Sequence, residues 1–199
     1  MKSNVCRIEK GTRDLAAILN ESERVAQYNG LSHKQNLQLR LLCEEIDGML
    51  PNIIDDFDGE LWIEFEDGVC KVNVSIQIPE IDAEKKEELI SVAKNKKNAA
   101  AVGIVGKIRD YIETFIMDDD VQIGLALSSG NFGASTACFY NGDCDYIWRL
   151  DDYRRFVEKE EKAEAWDELE KSVIASVADD VIVGVKGRKA DIIIVKKFA

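Results

Sequence analysis

The sequence predicts an α+β protein, a two-layer sandwich with helices on one face of a mixed, mostly antiparallel sheet. Three observations carry this. Two amphipathic stripes at helical spacing open the chain, over Asp14–Asn29 and Ser32–Leu50. Alternating strands joined by short glycine turns follow at Leu61–Ile78 and close the chain at Val181–Phe198. Helices and hairpins alternate along the chain, and such elements bury their apolar faces as helices laid on one side of a sheet.

Composition bounds the function. At 199 residues the chain is long enough for a sizeable core and reads as a single domain over 1–199. A formal net charge of −12 disfavours sequence-independent binding to nucleic acid or to an anionic membrane, both of which need a basic surface. There is no apolar run of about 18 residues for a membrane span and no signal-peptide pattern. The five cysteines are scattered through apolar segments without C-x-x-C spacing, which reads as packed thiols in a reducing cytoplasm.

Val5 to Ile8 has the character of a strand, broken by Gly11. The helix Asp14–Asn29 presents Leu15, Ile18, Leu19, Val25 and Ala26, with Ser22 interrupting the stripe. Gly30 suits the left-handed position after it, and Leu31 can close back on the helix. Ser32 and Gln35 form a capping box for the next helix, whose stripe is Leu39, Leu42, Cys43, Ile46, Met49 and Leu50. Pro51 is expected to stop it.

Leu61, Ile63 and Phe65 alternate before Asp67-Gly68, a strong two-residue hairpin signal. The return strand puts Cys70, Val72, Val74, Ile76 and Ile78 inward. A charged helix is expected from Asp82 to Lys97 and a second from Ala99 to Met117. Strands over Val121–Leu127, Thr136–Tyr140 and Asp145–Leu150 surround a glycine-rich loop, Ser128 to Ser135. A mixed-charge helix from Asp151 to Lys162 runs on, straight or kinked, to Val177. Asp179-Asp180 ends it before the last hairpin, Val181–Val185 and Ala190–Phe198.

This order, with Leu39-Arg40-Leu41-Leu42-Cys43-Glu44-Glu45 on the second helix and Ser176-Val177-Ala178-Asp179-Asp180 before a closing hairpin, resembles the GHKL or Bergerat-fold (histidine-kinase-like) ATPases. It is most similar to the small anti-sigma-factor serine kinases, over roughly Val5–Ile78 and Trp166–Phe198. That leaves 99–165 as an enlarged, dissimilar middle. The resemblance implies a bacterial, cytoplasmic protein and a nucleotide site whose parts are checked singly. Glu45 matches the glutamate that polarises the attacking water in active members. The asparagine that holds magnesium is replaced by Met49, a soft thioether unsuited to a hard cation. The Asp-x-Gly-x-Gly motif is absent from Ser75–Asp82, and the phosphate-binding glycine turn from Glu164–Leu169.

These departures imply a non-catalytic regulatory or protein-interaction protein, without cofactor or metal and with a protein partner or a second copy of itself. The alternative is an ATP-binding protein or serine kinase with a rebuilt site. In that reading Gly130 and Gly133 would hold the phosphates of ATP and magnesium, although their loop lacks the lysine of a P-loop. Glu45 is then a general base; otherwise it is a structural carboxylate. Asp56-x-Asp58-Gly59 imitates only the opening of a calcium loop, and His33 reads as a surface residue of a first helical turn. Tyr140, Tyr146 and Trp148 are the residue types enriched at interfaces, and Trp148 is the candidate hot spot; packing against the following helix is the competing role.

Overall fold

The computed structural model describes residues 1–9, 11–54, 56–79, 103–116, 146–159 and 163–198. The expected helix Asp82–Lys97, the strands Val121–Leu127 and Thr136–Tyr140, and the loop with Gly130 and Gly133 lie outside them. Seven strands form one sheet: β1 (Cys6–Glu9), β2 (Thr12–Arg13), β3 (Asp58–Glu66), β4 (Val69–Gln77), β5 (Tyr146–Arg149), β6 (Asp180–Lys186) and β7 (Lys189–Lys197). Their order is β2-β1-β3-β4-β7-β6-β5. Every described pairing is antiparallel, so the two expected hairpins lie side by side through β4 and β7. The short β2 was not anticipated: two residues carry no readable period.

Register explains the layering. Leu61, Val74, Ile192, Val183 and Trp148 stand in one cross-strand row, with Ile63, Val72, Ile194 and Val181 in the next. All nine are buried in the core. Each contributes about 1.5–3 kcal/mol by leaving water if aliphatic, and the indole somewhat more. Above this face pack α1 (Leu15–Tyr28), α2 (His33–Ile53), α3 (Gly103–Ile116), α4 (Leu150–Lys159), α5 (Ala163–Lys171) and α6 (Val173–Val177).

Local chemistry sets the ends of these elements. Asp14 caps α1, and its polar Ser22 is buried with the hydroxyl donating to the Leu19 carbonyl at 2.7 Å. Gly30 is left-handed at φ 65°, while Leu31 N–H returns to the Ala26 carbonyl at 2.9 Å. The capping box of α2 forms as expected. Between β3 and β4, Asp67 and Gly68 both take positive φ, the conformation a two-residue hairpin needs. Ser172 caps α6 afresh, so the long segment after Leu150 is three helices in place of one.

Two expectations need correction. Pro51 does not stop α2, which continues to Ile53. A proline this close to a helix end removes only one late hydrogen bond; Ile54 N–H still reaches the Leu50 carbonyl at 3.0 Å, and Asn52 Nδ2 donates to the Gly48 carbonyl at 3.2 Å. Burial of Leu50 and Ile53 in the core outweighs the preference of a pre-proline residue for extended backbone. Trp148 is not an interface residue: it is 1% exposed, on the helix-covered face, with its ring 6.0 Å from that of Tyr153. Alternation in a four-residue strand does not say which side faces the helices, and the register with β6 decides it.

Candidate functional site

On α2 the stripe residues Leu39, Leu42, Cys43, Ile46, Met49 and Leu50 are all buried. Glu44 and Glu45 lie half-buried beside it. Glu44 accepts from Arg40 Nε at 3.1 Å, and Arg40 Nη1 donates to Glu23 at 2.9 Å, which ties α2 to α1. Met49, one turn beyond Glu45, is 4% exposed and belongs to the core. Its thioether thus points into packed hydrocarbon where a magnesium ligand would need water and phosphate beside it. The acid of α2 that the fold buries is Asp47, at 7% exposure. Its one sequence signal is a carboxylate set between Ile46 and Met49 of the apolar stripe.

The described thiols are packed residues. Burial pushes the Cys70 pKa up to about 12 and raises that of Cys43 as well, so both stay protonated and are poor nucleophiles. Cys6 is half-buried, and burial, then the carboxylates of Glu21 and Asp14, raise its pKa too.

The side of the sheet away from the helices has a distinct composition. Positions alternate with the core rows, so Trp62, Asn73, Ile193, Ile182 and Arg149 share one outward row. Glu60, Ser75, Asp191, Gly184 and Ile147 share the next, and Val195 lies beside Asp180. Trp62, Ile147, Ile182, Ile193 and Val195 are each half-buried. Ion pairs lie around them: Lys2 with Glu64 at 3.7 Å, Arg7 with Asp58 at 3.1 Å, and Lys189 with Asp191 at 3.1 Å. Arg149 Nε donates to Asp180 at 3.0 Å, and Asp180 also accepts the Asp151 N–H at the start of α4. Lys2 lies 4.5 Å from the Trp62 ring centroid, whose Nε1 donates to Glu64 at 2.8 Å.

Sequence reading missed this face because Ile192-Ile193-Ile194-Val195 and Val181-Ile182-Val183 are unbroken apolar runs. Alternation cannot orient such a run. The run itself is the signal, since it is the pattern of strands covered on both faces.

Two open hollows adjoin β1. One, of about 460 Å³, lies against α1 with Asn4, Cys6, Asp14 and Glu21 in its lining. The other, of about 520 Å³, lies over Arg7, Asp58, Glu60, Ser75, Gln77 and Lys189. Glu45 and Met49 line neither. Among the described residues no group of three or more His, Cys, Asp or Glu could hold a metal ion, and no helix is long and apolar enough to cross a membrane. Gly130 and Gly133 lie outside the described residues.

Among the described residues, fold and surface define an antiparallel α+β sandwich: one face under helices, the other carrying half-buried aliphatics beside ion pairs. No family model matches the chain, and neither a curated protein nor a solved structure matches it.

Proposed function

We propose that this chain is a non-catalytic regulatory protein that works in the cytoplasm through protein contacts, on the plan of a histidine-kinase-like ATPase whose nucleotide position has been filled. The family part of this reading rests on the sequence resemblance. The observation that carries the loss of chemistry is Met49, sealed in the core at 4% exposure one turn from Glu45. A polar side chain placed there would meet Leu42, Ile46 and Ile53 on the same stripe, so the helix is built to pack at this point and not to bind. Glu45 without an adjacent cation is then a structural carboxylate.

Calorimetric titration with ATP and magnesium tests it. Each lost polar or ionic contact costs about 1–3 kcal/mol, so loss of the magnesium ligand, the adenine aspartate and the phosphate turn removes micromolar affinity. The expected isotherm is flat, and the melting temperature is unmoved by nucleotide. A magnesium-dependent micromolar isotherm would instead establish an ATP-binding protein with a rebuilt site. Glu45→Gln and Gly130→Val would then identify its parts.

A further inference from the structure

We propose that the outer face of the sheet, centred on Ile182, Ile193, Val195 and Ile147, is a self-association surface that takes a second copy of this chain. The proposal stands on this face alone and is independent of whether nucleotide binds.

Three observations converge on it. First, β6 and β7 carry branched aliphatics at consecutive positions, a pattern belonging to strands covered on both sides, while a sheet with one wet face normally alternates apolar with polar. The described helices cover only the side bearing Val183 and Ile192. Second, the outer face has little net field. Lys2, Arg7, Arg149 and Lys189 are each answered by a carboxylate on the same face, whereas the chain as a whole carries −12. Two copies approaching by their acidic sides repel, but here they meet without that penalty. A strongly basic or acidic partner finds no complementary field, whereas an identical face is matched to this one. Third, the size is of the right order. Strands β3, β4, β7 and β6 at about 4.8 Å spacing over about 23 Å of strand length, with the four-residue β5 over about 13 Å, project on the order of 500 Å². Pleated side-chain relief raises the contact toward the roughly 800 Å² per partner of a stable interface.

In a two-fold pairing the same patch meets itself, so aliphatics stack on aliphatics at the roughly 10 Å spacing of packed sheets. The paired charges form the polar rim.

Sedimentation equilibrium of the whole chain is the test. A dimer should assemble below about 200 µM, and Ile182→Lys and Ile193→Lys should each weaken it at least tenfold, because an unpaired ammonium would be buried at the centre. Leu37→Lys, on the exposed side of α2, should leave it unchanged. Lysine crosslinking between isotopically distinct wild-type copies gives a readout without substitution and so survives any variant that fails to fold. Intermolecular links at Lys71 and Lys189 are expected. A monomer throughout, folded lysine variants that dimerise like wild type, or links confined to helix-side lysines such as Lys34 would each overturn the proposal. A monomer whose outer face is protected from labelling would assign the face to another segment or partner.

Discussion

Glu21 shows how one carboxylate fastens a strand to a helix. The pairing of the first residues with β3 shifts by one between Lys2–Glu64 and Cys6–Leu61, so Asn4-Val5 bulges opposite Trp62. Glu21 collects what the bulge frees: the Asn4 N–H and its side-chain amide, both at 3.0 Å. Burial by itself would raise the Glu21 pKa, but these bonds and the Arg24 guanidinium outweigh it and hold the carboxyl below its ordinary 4.5. A carboxyl with a lowered folded-state pKa stabilises above its unfolded value, and the contribution is lost as pH falls through the folded one. Glu21→Gln should therefore lower the melting temperature at pH 7, with the difference from wild type shrinking below about pH 4. A gap that stayed constant with pH would reduce Glu21 to its packing. Trp148, in contrast, acts through volume. Trp148→Ala should cost ~3–5 kcal/mol and lower the melting temperature by roughly 6–20 °C, read by calorimetry. An unchanged melting temperature would return Trp148 to the surface.

At the scale of elements, capping and burial divide the work. The α2 helix starts where Ser32 and Gln35 exchange hydrogen bonds, a purely local event. Ser32→Ala should cost about 1 kcal/mol, a fall of about 2–4 °C in melting temperature, with secondary structure intact by circular dichroism. Its other end is set by packing, since Ile53 and Ile54 enter the core past Pro51. Asp180 serves two elements at once. It closes the ion pair with Arg149 of β5 and accepts the Asp151 N–H that α4 leaves unpaired, so strand and helix hold a fixed angle at the edge of the sheet.

For the whole molecule, the two sides of one sheet have different fates. The helix-covered side is packed hydrocarbon that takes in Met49. The other side carries half-buried aliphatics, with Lys2, Arg7, Arg149 and Lys189 each paired to a carboxylate. The proposed reading and the proposed dimer make two separate predictions: a flat ATP isotherm and a concentration-dependent dimer. Either outcome can fail without the other, because no residue is shared between the α2 stripe and the outer rows of β6 and β7.

Sequence by itself determined the elements whose signals are local. The capping box at Ser32, the left-handed Gly30, the Asp67-Gly68 hairpin and the inward alternation of β4 all depend on neighbours within a few residues, and all are found as read. The same holds for the place of Met49 in the buried stripe of α2, which its spacing predicts. Tertiary structure alone decided the rest. Which side of β5 carries Trp148, how far α2 runs past Pro51, and which isoleucines of β6 and β7 face away from the helices depend on strand register and on competing burial. Those are long-range pairings, and an unbroken apolar run supplies no period from which to infer them.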